Sequence, residues 1–251
     1  MALLSLIDQH REDADVPSLV ATFLGAHTLP PEFGDETAYV DYLIDQCLPL
    51  AAAHGARYAD VFCERGYFSR KESRRYLEAA AAHGLRLRSH CDEFAHEGAA
   101  AMAAELGADS VDHCNRVRDD EIAAVVSAGC VTVACPATIA YLGLTQGTPV
   151  RRILDAGGTV AVASDFNPGT SPCFNMQTVA YFGRALFGLT AAEALYAVTI
   201  APALSLRSPA GRIAEGAPAD LLVLGIESPH EFGWQFGGNL ASAVVHHGVV
   251  V

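Results

Sequence analysis

His90, His113 and Asp165 each stand where a short β-branched or leucine-rich run gives way to a loop. Imidazole and carboxylate groups are common ligands of divalent metals, and both transfer protons in catalysis. Glu93 follows His90 by three residues, so one loop offers a metal-ligand type and a proton-transfer group. Asp165, in SDFNPGTSP, has two readings. A carboxylate ending an apolar strand needs a partner, which a metal ion or a bound water supplies. Alternatively it caps a helix or organises an Asx turn ahead of Asn-Pro-Gly. His90 and His113 likewise read either as ligands or as hydrogen-bonded structural histidines. His27, in LGAH, either orients a substrate or lies at the edge of the core. The ten histidines include no His-x-His pair.

The remaining histidines, His10, His54, His83, His96, His230, His246 and His247, fall in helices, turns or the tail and read as surface or structural groups. His246 and His247 are adjacent, so on a strand they point to opposite faces and do not readily share a metal. By the same alternation Asp112 lies on the face opposite His113 and serves packing or a salt bridge. Lys71, Arg74 and Arg75 read as a solvated helix face.

Six strand-like runs carry these residues: 18–27, 58–64, 85–90, 108–113, 130–136 and 159–165. They are nearly continuous apolar stretches, as expected of strands buried on both faces of a parallel sheet. Helices with readable ends lie between them. Ser69-x-x-Glu72 is a capping box opening a helix that Gly84 closes, Asp119 or Asp120 caps the next, Pro149 begins another, and Thr190-x-x-Glu193 is a second capping box. Leu3, Leu6 and Ile7 share a helical face, as if Met1 lay inside an amphipathic helix. Alternation of this kind gives an α/β fold.

A doubly wound sheet would favour a Gly-rich phosphate turn after an early strand, and no G-x-G-x-x-G is present. His27, Glu64, His90, His113 and Asp165 instead sit at successive strand ends, which converge on one mouth in a barrel. The expectation is therefore an incomplete TIM-type (β/α) barrel, with about six of eight strand–helix units, over residues 1–205. Residues 206–251 read as a small C-terminal β appendage, with FGGN (236–239) as a loop within it.

Composition narrows the function classes. The chain has 251 residues, 51% of them apolar, which suits a sizeable core. A formal charge of −13 argues against a nucleic-acid partner. The seven cysteines form no C-x-x-C pair and read as reduced thiols of a cytoplasmic protein. The opening segment lacks the marks of a secretory signal, and no run has the length of a membrane helix.

The segments TFLGAHTLPPEF, DVFCERGYFS, SRRYLEAAAAHGLRLRSHCDEF, AAELGADSVDH, SDFNPGTSP and GRIAEGAPADLLVL occur in that order from about residue 20 to the tail. On these the chain resembles the imidazolonepropionase family of metal-dependent amidohydrolases. SDFNPGTSP with the His-x-Asp-Glu-Phe pattern is specific to that family, whereas the tail motif is shared widely among amidohydrolases. The resemblance implies hydrolytic ring opening of 4-imidazolone-5-propanoate to N-formimidoyl-L-glutamate, a step of histidine degradation. It implies one divalent metal, zinc or iron, on His90 and Asp165. Glu93 and His113 would be the acid–base and orienting pair, with Asp165 sharing in proton transfer. His27, Glu93 and Thr170 would touch the substrate, and Asn167 and Gly169 the product. A homodimer is consistent with the resemblance.

The chain departs from that family in lacking its His-x-His strand, a substrate-binding Arg and Tyr, and the N-terminal part of the β appendage. Cys91 stands where the family usually has Ala. If 18–27 is the third barrel strand, the His90, His113 and Asp165 loops follow the fifth, sixth and eighth. The expectation is an N-terminally truncated sequence with little or no activity alone, arising as a fragment, a misplaced start or a decayed gene. Residues 206–251 would then be part of a composite β-sandwich. Two other readings remain: another cyclic amidohydrolase or aminohydrolase, and an inactive remnant with a binding role.

Overall fold

The computed structural model describes residues 1–11, 13 and 16–251, which divide into two compact units, Met1–Cys130 and Val131–Val251. The first unit opens with α1 (Ala2–Gln9) and contains four parallel strands paired in chain order: β1 (Thr22–Ala26), β2 (Tyr58–Cys63), β3 (Arg86–Cys91) and β4 (Ser110–His113). Helical segments link them. α2 (Glu36–Tyr42), a π-turn (Leu43–Cys47) and α3 (Leu48–Ala53) follow β1, α4 (Arg70–Ala82) follows β2, α5 (Ala99–Glu105) follows β3, and α6 (Asp119–Ser127) follows β4. Strand order never reverses within this unit, whereas a doubly wound sheet reverses at its switch point.

The second unit holds a parallel pair, β5 (Val131–Ala134) and β6 (Val160–Val162). α7 (Pro136–Leu142) and α8 (Val150–Asp155) lie between them, and α9 (Met176–Phe187), α10 (Ala191–Val198) and α11 (Ile200–Ser205) follow. An antiparallel sheet of β7 (Leu221–Leu224), β8 (Ala241–His246) and β9 (Val249–Val250) completes it, where the β appendage was expected. Four and two parallel strands match the six strand–helix units read from the sequence. No helix among the described residues is long and apolar enough to cross a membrane.

Burial explains most of the local structure. All six residues of β2 are buried, as its apolar run requires. β3 is different: Leu87, Ser89 and Cys91 are buried, while Arg88 and His90 are only partly covered and Arg86 is exposed. The expectation of a strand buried on both faces therefore fails at β3, whose alternation sets one face under α4 and α5. Helix ends show similar detail. Thr190 and Glu193 form the reciprocal capping box expected of them. Ser69 Oγ accepts from Glu72 N, but the return arm comes from Glu36, whose Oε1 accepts from Ser69 N at 2.5 Å. Glu72 pairs instead with Arg75 and Lys71. α6 is capped by Glu121 reaching back to the Arg118 N–H at 2.9 Å, not by Asp119 or Asp120. α1 is a helix as expected, yet it buries Leu4 and leaves Leu3 75% exposed.

The tail corrects another expectation. His246 ends β8, and His247 and Gly248 turn the chain with φ of 50° and 81°, the left-handed backbone that a tight hairpin needs. Strand alternation no longer applies at His247, so the two imidazoles lie 4.1 Å apart beside Asp220.

Candidate functional site

In the first unit the partly covered face of β3 and its neighbours carries polar groups in successive tiers. Arg88 lies over the Tyr58 ring at 4.3 Å and donates to Ser110 Oγ at 3.2 Å. One step along, His90 pairs in register with Asp112 on β4 and lies near Asp60 on β2. The His90 Nδ1 to Asp60 Oδ1 distance is 3.1 Å. At the strand ends the His90 ring is 5.3 Å from that of His113 and 6.1 Å from that of His27. His27 is exposed and stacks on Phe62 at 5.5 Å, so it projects from the strand end rather than sealing the core.

The expected separation of Asp112 from His113 also fails. Both lie near His90, because His113 takes a left-handed backbone at φ 66° that ends the strand alternation. Asp92 and Asp165 share this conformation, at φ 49° and 48°. Left-handed non-glycine residues are uncommon and cluster at functional loops.

The loop after β3 is held open by a buried anchor. Asp92 is fully buried, and its carboxylate accepts four backbone N–H groups, from Glu97, Gly98, Ala99 and Ala100, at 2.6–3.1 Å. Glu64 clamps the same loop by accepting from Phe94 and Ala95 N at 2.9 and 3.1 Å. Glu64 is therefore spent on backbone rather than on the shared mouth expected of it. The loop after β4 is stitched to this one by Cys114 N to Cys91 O, Arg116 N to Asp92 O and Asn115 Nδ2 to Glu93 O. Between them Glu93, 6% exposed, brings Oε1 to 3.5 Å from His113 Nδ1.

Burial, followed by the nearby His90 and His27, pushes the His113 imidazole well below its ordinary pKa. His113 is thus held neutral, the form that can accept at one nitrogen while donating at the other. Burial first, then Asp60, pushes the Asp112 carboxyl up. A cluster of imidazoles, with His113 held neutral, beside a buried carboxylate suits ligation of a divalent cation and proton transfer next to it.

In the second unit Asp165 is partly buried three residues beyond β6. Its Oδ2 accepts from Thr138 Oγ1 on α7 at 2.7 Å. It caps no helix: α9 starts at Met176 with Asn175 as its cap. Asn167, not Asp165, organises the Asx turn, accepting from Gly169 and Thr170 N at 2.9 and 2.7 Å. Asn167 Nδ2 donates to Asp165 O and to Thr170 Oγ1, at 2.8 and 2.9 Å. Asn167, Gly169 and Thr170 thus form one self-bonded loop attached to Asp165.

The first unit gathers His27, His90, Glu93 and His113, and the second gathers Asp165, Asn167, Gly169 and Thr170. Sequence reasoning missed three contributors. Asp60 had a signal, an acidic residue inside the apolar run YADVFC. Asp92 was visible only as a neighbour of His90, and Thr138 carried no signal.

Residues 26–251 match the amidohydrolase family. The imidazolonepropionase of Rubrobacter xylanophilus is 42% identical over 238 residues, covering 94% of this chain and 57% of that protein. The imidazolonepropionase of Chromobacterium violaceum is 40% identical over 251 residues, covering 98% and 61%. The chain thus spans little more than half the length of these curated relatives. A variant of atrazine chlorohydrolase from Arthrobacter aurescens superposes with a TM-score of 0.70 at 21% identity, covering 98% of this chain and 64% of the other. An adenosine deaminase from Xanthomonas campestris gives 0.72 at 15%, covering 98% and 62%. A match over nearly the whole chain, on a frame of parallel strands with histidines at their ends, places this protein in the amidohydrolase family.

Proposed function

We propose that the chain carries the acid–base part, and two of the metal ligands, of an enzyme that opens 4-imidazolone-5-propanoate to N-formimidoyl-L-glutamate. The observation that carries this reading is the approach of Glu93 to His113 beside His90, at the ends of consecutive parallel strands. The relatives at about 40% identity are named for that activity.

The residues present fit a divalent cation by their chemistry: His90 and His113 offer imidazoles, and His113 is held neutral. His90 and Asp165 would hold the ion. When bound, it would lower the pKa of a water toward about 7 and so supply hydroxide at neutral pH. Zinc and iron both suit such ligands, and the chlorohydrolase and deaminase structures contain zinc.

The protein's own groups do the remaining work. Glu93 takes a proton from the attacking water and returns it to the departing ring nitrogen, with Asp165 sharing that transfer. His113 faces the carbonyl oxygen as a neutral hydrogen-bond donor where negative charge develops. His27 stacks against the substrate's planar ring. The Asn167–Thr170 loop offers amide and hydroxyl groups to the substrate and then the product. Residues 206–251 contribute strands to a composite β-sandwich.

The test is a steady-state assay of the product of the complete reading frame on 4-imidazolone-5-propanoate, with N-formimidoyl-L-glutamate identified by mass. Metal-dependent turnover supports the reading. No turnover there, with hydrolysis of a nucleobase or another cyclic amide instead, overturns it.

A further inference from the structure

We propose that Asp60 is a positioning residue for His90: its carboxylate accepts the Nδ1–H of the imidazole and fixes the tautomer whose Nε2 carries the lone pair. Asp60 lies in the middle of β2, 3% exposed, between residues that are themselves buried. A carboxylate is not retained at such a place without a partner, because its desolvation is unfavourable. The register supplies one. Phe62 pairs with His90 across β2 and β3, and Asp60 lies two residues back on the same face. Its Oδ1 therefore meets the ring from within the sheet, 3.1 Å from Nδ1.

An ionised carboxylate only accepts hydrogen bonds, so a bond at this distance requires the proton on Nδ1. The basic nitrogen is then Nε2. Asp112, level with His90 on the opposite neighbouring strand, has a carboxylate oxygen within 4.8 Å of the same group. The ring is thus flanked by acidic side chains from both adjacent strands. Histidine ligands of metals commonly donate their second N–H to a carboxylate, which orients the ring and raises its basicity. The ligand role of His90 rests on the function proposed above, whereas the tautomer rests on the Asp60 contact alone.

The experiment uses the 251-residue chain labelled with 15N-histidine, held at about pH 8, above the ordinary imidazole range. Long-range 1H–15N spectra report the tautomer, with His90 resonances assigned by their loss in His90→Gln. The expected result is the Nδ1–H form in the unaltered chain and a shift toward the Nε2–H form in Asp60→Ala. Asp60→Asn retains an acceptor and the side-chain volume, and should keep most of the Nδ1–H form even if the alanine variant fails to fold. Zinc affinity, read by competition with a chromophoric chelator, should fall roughly 10–100-fold in Asp60→Ala and less in Asp60→Asn. An Nε2–H tautomer in the unaltered chain, or a tautomer indifferent to Asp60→Ala, overturns the positioning role. Zinc that leaves the unaltered His90 resonances unmoved overturns the ligand reading instead, with the tautomer result standing separately.

Discussion

Glu93 Oε1 lies 3.5 Å from His113 Nδ1, although the two residues belong to loops after different strands, β3 and β4. Both are buried, so their pairing depends on loops that cannot drift apart. In the product of the complete reading frame, and under the function proposed above, Glu93→Gln should retain the side-chain shape and remove the base. The expected loss in kcat is roughly 10²–10⁴-fold. Urea denaturation should show a nearly unchanged midpoint. A kcat within a few-fold of the unaltered enzyme would remove Glu93 from proton transfer.

Asp92 is the anchor on which that pairing depends. Its carboxylate serves four backbone N–H groups, and asparagine offers only one acceptor oxygen plus two donors that clash with them. Asp92→Ala should lower unfolding free energy by about 3 kcal/mol, and Asp92→Asn by nearly as much. Linear extrapolation from urea curves measures both. A change below about 0.5 kcal/mol, the usual range for unremarkable surface sites, would deny Asp92 this role.

Acid should expose the Arg151–Glu193 pair. The Arg151 guanidinium, followed by the Thr190 N–H, holds the Glu193 carboxyl down from 4.5 to about 2. A depressed folded pKa means stability that is fully present above pH 4.5 and lost as pH falls through about 2. Glu193 is a third exposed, and solvent screening limits the contribution to about 0.5–1 kcal/mol. Glu193→Gln keeps a capping side chain but loses this pH dependence. Parallel stability–pH curves for the two proteins between pH 4.5 and 2 would refute the assignment.

Thiol labelling should separate the cysteines by burial. Cys63, Cys91, Cys114, Cys130 and Cys135 are buried, while Cys47 and Cys173 are partly covered. Burial pushes Cys63 up to about 12 and Cys91 and Cys114 well above the ordinary thiol range. At about pH 8 a thiolate-specific reagent should modify Cys47 and Cys173 in the native protein and the other five only after unfolding. Rapid native labelling of Cys63 would contradict the buried state of β2.

Much of the fold was legible because burial leaves a periodic trace. The YADVFC run is β2, the Thr190–Glu193 box opens α10, and the tail strands fall where apolar runs return. Strand ends bearing His90, His113 and Asp165 could be read for the same reason. What the sequence did not show depends on contacts made after the chain leaves regular structure. Nothing in DEFAHEG says that Asp92 turns inward to gather the amides beyond it. Glu36 caps a helix 33 residues away, a partnership that local spacing does not encode. At His113 and His247 a left-handed residue cancels the alternation rule, so Asp112 and His246 keep company that strand periodicity forbids.

The function proposed above depends most on His90 and Asp165 ligating a single ion. Anomalous diffraction at the zinc edge, from zinc-loaded crystals of the product of the complete reading frame, tests this directly. The predicted result is one peak about 2.0–2.2 Å from both His90 Nε2 and an Asp165 carboxylate oxygen. A peak that excludes either residue, or one placed on the Nδ1 side of His90, would contradict it.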